Sequence, residues 1–356
     1  MNNLSPAARR IIGIWLLTGC LMVFFQVIVG GVTRLTDSGL SITEWKPIKG
    51  IVPPLNEKEW QAEFALYKNI TQYKTLNEGM TLNEFKWIYF WEYFHRFWAR
   101  FMGIVFAVPF TLFILRGWLT RALLFRLVPL FLWGGIIGIY GWIMVRSGLT
   151  GVYVPPIHLS IHLLLALSLF AYLVWVTAWV WLGEAPPVDA NTAPRWMVLI
   201  LILLFFQIFM GGLVSGTRAG LAANDWPLLN GELIPKAIWE MHPTLNGILK
   251  YDASDYWIRI FVQFLHRSTA YLIAVMIALF WWKYRSAFTV PTARLAVQLL
   301  PLSVCLQIII GVLTVINCVG KIPVFYGVLH QVGAMLLIAN VVVVLYHLRQ
   351  KTILAS

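Results

Sequence analysis

The chain has 356 residues, of which 60% are hydrophobic and 12% are charged, and its formal net charge is +12. This composition excludes an ordinary soluble domain and is typical of an integral membrane protein. Because the basic residues flank apolar runs and no soluble basic domain is present, the positive charge indicates contact with anionic lipid and argues against nucleic-acid binding.

Eight segments are long and apolar enough to cross a bilayer core, which requires about 20 residues. In chain order the predicted spans are 11–33, about 91–115, 127–145, 147–183, 196–217, about 257–282, 295–320 and 322–348. Charged residues open only the second and sixth of these spans. The sequence therefore predicts an all-α integral membrane protein with eight transmembrane helices.

The chain contains an internal repeat. Three features recur in the same order: QVIVGG at 26–31 and QIFMGG at 207–212, the His-Arg pairs that begin at His95 and His266, and the pairs Pro155/His162 and Pro323/His330. The offsets are 181, 171 and 168 residues, which is too long for a solenoid unit. We therefore expect two tandem pseudo-symmetric four-helix bundles.

The repeat also sets the predicted domains and the topology. Residues 1–183 form the first bundle, 196–356 the second, and 184–195 a cytoplasmic linker. Basic residues cluster between alternate spans, and the positive-inside rule places them in the cytoplasm. Both termini are then cytoplasmic, and the long connections 34–90 and 218–256 face outward. Since each copy has an even number of spans, the copies run parallel. A bacterial inner membrane is the simplest location.

Four histidines occupy matched positions, one in the second and one in the fourth span of each copy: His95 with His162, and His266 with His330. At 1.5 Å per residue, all four fall in the outer half of the bilayer. Two imidazoles at similar depth on different helices of a bundle can bind one haem iron from both sides. A single histidine would instead be read as a hydrogen-bonding partner of a neighbouring helix. The duplication favours haem iron ligation.

Glu92 lies three residues before His95 on the same helical face, and its counterpart in the second copy is Gln263. An acid kept in one copy only indicates that one pocket performs chemistry while the other holds a permanent cofactor. The alternative is an interfacial ion pair of Glu92 with Arg96 or Arg100. Four further residues are candidates to bind haem propionates, or else are interfacial anchors: Arg34 and Arg218, which follow the two Gly-Gly turns, and Arg96 and Arg267.

Four stretches carry a resemblance to a known family: GGVTRLTDSGLSITEWKPIKGIVPP at 30–54, TLNEFKWIYFWEYFHR at 81–96, GGLVSGTRAGLAANDWP at 211–227 and FLHRSTAY at 264–271. From 30 to 330 the chain resembles haem A synthase, in the subgroup found in alphaproteobacteria and mitochondria. The resemblance implies an oxidoreductase that converts the C8 methyl group of haem O to a formyl group, giving haem A for cytochrome oxidase.

The resemblance also implies roles for individual residues. His95 and His162 would hold the substrate haem, His266 and His330 a resident haem b, and Glu92 would be an essential carboxylate. Implied partners are haem O synthase, cytochrome oxidase assembly factors, membrane lipid and an electron carrier that the sequence does not identify; a homo-oligomer is left open. The chain lacks the cysteine pair that another branch carries in its first outer loop, which argues against a thiol mechanism.

Two other functions are compatible with the histidine pairs or the repeat. A di-haem b-type electron-transfer protein would hold two permanent haems. A transporter with parallel repeats would need a polar path at mid-depth, where the spans offer little beyond Gln307 and hydroxyl side chains.

The remaining histidines are not expected to be iron ligands: we expect His158 beside the pocket, His347 at the inner membrane interface and His242 on the surface. Four tryptophans are expected to cap the pockets: Trp45, Trp60, Trp226 and Trp239.

Overall fold

The computed structural model describes residues 5–45, 49–183 and 193–348. The twelve α-helices in these ranges are α1 Pro6–Leu35, α2 Glu57–Lys68, α3 Thr71–Leu76, α4 Leu82–Leu115, α5 Arg121–Gly148, α6 Pro156–Leu182, α7 Ala193–Gly216, α8 Ala237–Glu240, α9 Asn246–Leu249, α10 Tyr256–Tyr284, α11 Pro291–Ile316 and α12 Val324–Leu348. Two 3-10 turns, Lys49–Ile51 and Ala219–Leu221, complete the described elements. Most of the predicted linker 184–195 lies outside the described residues.

Eight of these helices are long and apolar enough to cross a membrane: α1, α4, α5, α6, α7, α10, α11 and α12. The predicted all-α fold with eight spans is therefore confirmed. Several predicted boundaries differ from the observed ones, and two of them differ most. The second span begins at Leu82, not near 91, because Thr81 and Glu84 form a reciprocal capping box there. The predicted span 147–183 begins too early: α5 continues to Gly148 and α6 begins at Pro156, because proline fits the first turn of a helix.

The helices pack in two groups of four. In the first group α1 contacts α4 and α6, and α5 contacts α6; in the second, the equivalent pairs are α7 with α10 and α12, and α11 with α12. The second group has one further close pair, α10 with α11. Between the groups, α6 packs on α7 and α12, and α1 packs on α12. This arrangement is consistent with two four-helix bundles in tandem.

The long connection between α1 and α4 folds into a small cap, formed by α2 and α3, on the end of α4 that carries Phe85. Its core is aromatic: the Phe64 and Phe85 rings stack at 4.8 Å, and Tyr67 is completely buried beside them. Burial raises the pKa of Tyr67 to about 12, and its hydroxyl is held by Gln72 and Asn77. The cap is therefore a packed element and not a loose loop.

The connection between α7 and α10 is held by a different device. The Asp225 carboxylate accepts hydrogen bonds from the backbone N–H groups of Asn230 at 2.7 Å and Gly231 at 2.9 Å. Partial desolvation of Asp225 opposes ionisation, but these two hydrogen bonds outweigh it, so the pKa of Asp225 lies below its usual value. The ionised carboxylate closes the turn at residues 229–232.

Candidate haem-binding site

His95 lies on α4 and faces α1. A Cβ atom at Gly30 would lie 2.9 Å from the Nε2 atom of His95, so only glycine leaves room for the imidazole at this point of α1. One turn earlier, the Gln26 side-chain amide donates a hydrogen bond to the backbone carbonyl of His95 at 3.1 Å. The same helix thus makes space for the ring and ties the backbone that carries it.

His162 lies on α6 and faces α5. A Cβ atom at Gly141 would lie 3.3 Å from the Cε1 atom of His162. The Nδ1 atom of His162 is buried and has no hydrogen-bond partner among the described residues. One turn before it, the Nδ1 atom of His158 lies 2.9 Å from the Tyr140 hydroxyl. His162, and not His158, therefore offers its nitrogen to the interior.

The second bundle repeats this construction. His266 on α10 faces Gly211 of α7, and His330 on α12 faces Gly311 of α11, with Cβ-to-Cε1 distances of 3.1 and 2.8 Å if the glycines carried a Cβ. The two imidazole centres are 6.2 Å apart. Two glutamines hold the backbone of these histidines: Gln207 and Gln307 donate to the carbonyls of His266 and His330, each at 2.9 Å.

The 6.2 Å distance between His266 and His330 fits a haem. Metal–imidazole nitrogen bonds are about 2 Å long, so two imidazoles that bind one metal from opposite sides hold their centres roughly 6 Å apart. Within the described ranges, no group of three or more His, Cys, Asp or Glu side chains is placed to hold a bare metal ion. A pair of histidines suits a metal whose other four ligands come from a macrocycle, as in haem.

A single cavity of about 1180 Å³ is lined by all four of these histidines: His95, His162, His266 and His330. The volume exceeds the roughly 300–1,000 Å³ of an ordinary small-molecule pocket. Its walls are mainly apolar side chains and glycines from both bundles. The cavity therefore offers space for large, flat, apolar ligands beside each histidine pair.

The sequence suggested that the Gly-Gly pairs of the repeat form turns, but the structure shows that they do not. Gly30 and Gly31 lie inside α1, and Gly211 and Gly212 lie inside α7. In each pair the first glycine faces a histidine, whereas the second accommodates a neighbouring helix: a Cβ atom at Gly212 would lie 2.6 Å from the Cα atom of Ser160. The glycines serve close packing within helices and leave helical conformation intact.

Glu92 is 3% exposed and accepts three hydrogen bonds. Its Oε2 atom accepts from the Ser41 hydroxyl at 2.7 Å and from the Ile42 backbone N–H at 2.8 Å, and its Oε1 atom pairs with Arg96 at 2.5 Å. The Arg96 guanidinium also donates to the Ile42 carbonyl at 3.0 Å. The carboxylate lines the cavity and anchors the segment that follows α1.

Gln263, the counterpart of Glu92, stands in a matching position, but the side-chain atom that faces the following connection is a hydrogen-bond donor and not an acceptor. Its side-chain NH2 donates to the carbonyls of Ala219 at 3.1 Å and Ala223 at 2.8 Å. Its Oε1 atom accepts from Arg267 at 3.2 Å, and Arg267 also donates to the Leu228 carbonyl at 2.8 Å. Both bundles thus tie a helix to a connection, but only the first does so with a carboxylate.

Arg34 and Arg218 meet at one carboxylate between the bundles. Asp37 accepts from Arg34 at 3.2 Å and, with both oxygens, from Arg218 at 2.6 Å. Arg34 also donates to the Ser215 carbonyl at 3.0 Å, and the Arg218 guanidinium lies 4.2 Å from the centre of the Tyr153 ring. Arg34, like Arg96 and Arg267, lines the cavity; Arg218 is not among the described lining residues.

Two of the four tryptophans expected to cap the pockets line the cavity. Trp45 stacks on Trp142 at 5.1 Å, and the Trp226 indole N–H donates to the Tyr271 hydroxyl at 3.0 Å. Trp60 packs within the cap instead, 5.0 Å from the Tyr89 ring, and Trp239 is 60% exposed. Neither of the last two is among the described lining residues.

The family COX15-CtaA, cytochrome oxidase assembly protein, matches residues 13–342 of this chain. The chain belongs to this family. The resemblance inferred from the sequence motifs is therefore confirmed, and it covers all eight spanning helices nearly completely.

Relatives named heme A synthase match the chain over almost its whole length. That of Parvibaculum lavamentivorans is 41% identical over 332 residues, which covers 93% of this chain and 92% of the relative. That of Caulobacter sp. is 42% identical and covers 96% of this chain and 97% of the relative. That of Nitrosospira multiformis is 39% identical and covers 97% and 95%.

Sequence reasoning missed three glutamines of the site. Gln26 and Gln207 opened the QVIVGG and QIFMGG repeats but served only as markers of the duplication, and Gln307 was weighed only as a mid-depth polar group. Each now proves to hold a histidine backbone. Their signal was present, because a polar amide inside an apolar span at a repeated position has to find a partner.

The predictions for two further histidines can be compared with the structure. His242 is exposed, as expected for a surface residue. His347 was expected at an interface but is only 1% exposed, with its Nε2 atom 3.2 Å from the Thr292 hydroxyl. The three cysteines are free: Cys20 and Cys318 are buried and Cys305 is exposed.

Proposed function

We propose that this protein is a haem A synthase, a membrane oxidoreductase that converts the C8 methyl group of haem O to a formyl group. The observation that carries the proposal is the pair of imidazole couples on the wall of one apolar cavity, with an acid beside only one of them. Family membership and the heme A synthase relatives support the same reaction.

The two bundles are proposed to divide the work. Residues 1–183 hold the substrate haem between His95 and His162, and residues 196–356 hold haem b between His266 and His330. The hydrogen-bond polarity of Glu92 and Gln263 supports this division, because a carboxylate can exchange protons and offset positive charge, whereas an amide cannot. The linker 184–195 joins the two parts.

The reaction removes four electrons and, net, two hydrogens from the methyl group and adds one oxygen atom. With water as the oxygen source, R–CH3 + H2O gives R–CHO + 4 H+ + 4 e−, where two of the protons come from the methyl group and two from water. When bound, haem b supplies one-electron redox chemistry. The side chains orient the substrate, handle protons and bind the propionates. His95 and His162 orient the substrate, and Glu92 holds or accepts a proton at its carboxylate oxygens. Arg96 presents a cation to an incoming propionate.

Exclusion of water is assigned to the cap and to the aromatic groups above the cavity. Trp45 and Trp142 stack on the cavity wall, and the packed core of the cap covers the adjoining end of α4. A dry pocket strengthens the electrostatic effect of Glu92 and protects reactive intermediates. Arg34 and Arg267, which also line the cavity, are the remaining candidates to bind propionates.

The eight apolar helices make this a multi-pass membrane protein. We place it in a bacterial inner membrane, with both termini cytoplasmic and both haem sites towards the outer side. The family description concerns cytochrome oxidase assembly. The proposed partners are haem O synthase, oxidase assembly factors and an electron carrier, and the product haem A would pass to cytochrome oxidase.

The test is to express the protein with a haem O supply, extract the haems from the purified protein and membranes, and identify them by chromatography. Haem b together with haem A or a partly oxidised haem O is the expected result. A di-haem b-type electron carrier would yield haem b alone in about two copies per chain. That outcome, with no haem A formed, would overturn the proposal.

A further inference from the structure

The two bundles differ in how their ring of four helices closes. In the second bundle α10 packs directly on α11, whereas among the described helices α4 and α5 have no comparable packing. Their ring contacts are made by Phe131, 4.7 Å from Phe106 and 4.6 Å from Phe110. Phe106 is 11 residues beyond His95, about 16 Å along the helix. Nearer to His95 the two helices are apart.

Glycines line this opening. Gly103 on α4 and Gly134, Gly135 and Gly138 on α5 are all exposed, and all line the cavity. A Cβ atom at any of the four would meet no atom within 4 Å. Where small residues bring membrane helices together, the opposing backbone fills the space above them. These glycines border open space instead, so they widen a gap that runs from the cavity to the lipid-facing surface.

The gap leads to an unsatisfied polar atom. Gly141, one turn along α5 from Gly138, faces the His162 imidazole. The Nδ1 atom of that ring is buried and has no hydrogen-bond partner among the described residues. A buried ring nitrogen of this kind normally has a partner or a ligand. The opening is thus continuous with the histidine pair of the first bundle.

The second bundle is closed at the equivalent place. Gly141 and Gly311 face equivalent histidines and are 170 residues apart. At the same offset, Gly134 is matched by Val304, which is buried in an apolar core that includes Ile273 of α10. A branched side chain therefore fills, in the second bundle, a place that a glycine leaves open in the first.

We propose that the opening between α4 and α5, bordered by Gly103, Gly134, Gly135 and Gly138, binds the isoprenoid chain of the substrate haem and admits that haem sideways from the lipid. The inference rests on the proposed function. It also follows from the chemistry of the substrate, because haem O carries a long apolar chain on the edge of the macrocycle opposite its propionates. Haem b has a vinyl group there.

The depth of the opening suits this orientation. With the propionates beside Arg96, the opposite edge of the macrocycle points along α4 away from the cap. Gly103 lies eight residues beyond His95 in that direction, about 12 Å at the rise of a helix. An apolar chain at this place passes into lipid without meeting a polar surface, so the opening discriminates haem O from haem b.

The experiment narrows the opening in the full-length protein. Gly135→Leu and, on the facing helix, Gly103→Leu add bulk where a Cβ meets no atom. The control is Ile139→Phe, at a position on α5 that is 55% exposed and not among the described cavity-lining residues. Each glycine variant should raise the KM for haem O at least about tenfold, the effect of expelling roughly two buried methylenes. The control should match wild type.

Haem b bound by the second bundle reports correct folding and should be unchanged in all variants. A variant that loses it is replaced by Gly135→Ala, for which a smaller rise in KM is expected. Wild-type KM values for haem O in the folded glycine variants would overturn the inference. If wild-type protein forms no haem A, the proposed function fails. Spectral titration then tests the opening alone: wild type should bind haem O more tightly than haem b, and Gly135→Leu should abolish that preference.

Discussion

Replacing Glu92 with glutamine removes the negative charge and also disturbs the hydrogen bonds that the carboxylate accepts. The carboxylate accepts from Ser41, Ile42 and Arg96, so each of its two oxygens faces a donor. An amide has only one oxygen, and its NH2 group would face a donor in either orientation. The similarity of Gln263 does not rescue the variant, because Gln263 turns its NH2 group towards two carbonyls.

The magnitude follows from these contacts. Hydrogen bonds to a charged group contribute about 1.5–3 kcal/mol each, and neutral ones about 1 kcal/mol. Glu92→Gln loses one charge-assisted bond and weakens two others, which amounts to about 3 kcal/mol of local stability. The helices should persist, because the loss falls on the segment around Ser41 and Ile42 and not on the core.

Two assays measure the loss of local stability and the loss of haem A formation. Hydrogen exchange at the Ile42 amide should accelerate roughly a hundredfold, since each 1.4 kcal/mol is a factor of ten. Extracted haems should show a collapse of haem A with haem O accumulating, while haem b bound by the second bundle is retained. Both assays use the same membranes expressed with a haem O supply.

Ser41→Ala is the matched control, because it removes one hydrogen bond and leaves the charge of Glu92 in place. It should accelerate exchange at Ile42 by about tenfold and keep most haem A formation. Near-normal haem A in Glu92→Gln would refute a chemical role for the carboxylate. Equal loss of haem A in Ser41→Ala would show that Glu92 acts by holding this segment alone.

Three further outcomes are expected. Replacing either His266 or His330 with alanine removes an axial bond that the apolar pocket cannot replace, so the low-spin b-type spectrum should weaken or vanish; unchanged spectra and haem content in both variants would contradict the ligand assignment. Asp37→Ala leaves two guanidinium groups without their shared partner and should lower stability by about 2 kcal/mol, seen as a lower thermal midpoint of haem release. Asp37→Glu should cause a smaller loss, because it keeps the charge but fits the left-handed backbone of Asp37 less well. Cysteines placed at Lys58 and Lys236, in a Cys305→Ser background, should react with an impermeant reagent from outside the cell, and labelling only from the cytoplasmic side would reverse the topology.

Much of the fold could be predicted from the sequence, because long uncharged runs and matched histidines can be recognised from the order of residues alone. The spans and the positions of the four histidines on the second and fourth helix of each repeat needed no tertiary information. Helix ends were less accessible: α4 begins at Leu82 through a capping box in a polar stretch that the hydropathy pattern does not mark.

Contacts between elements that are distant in sequence could not be predicted. Nothing in the sequence around Arg218 reveals that its guanidinium binds Asp37, nor that Gly30 is small because His95 lies against it. The difference between the two bundles was visible at Glu92 and Gln263, but the gap between α4 and α5 depends on how two helices diverge in space. A sequence of apolar residues and glycines does not specify how far two helices diverge.

The Asp37–Arg218 contact joins two residues at matching positions of the repeat. The two residues are 181 positions apart, the same offset as the QVIVGG and QIFMGG segments, and both have left-handed backbone conformations, with φ of 56° and 54°. They therefore occupy matching positions of the repeat and touch each other, as two residues beside a pseudo-twofold axis would. In a dimer of identical modules, this position would set like charges face to face. In a tandem chain the two positions can carry opposite signs, so the Asp37–Arg218 pair draws the two halves of this chain together.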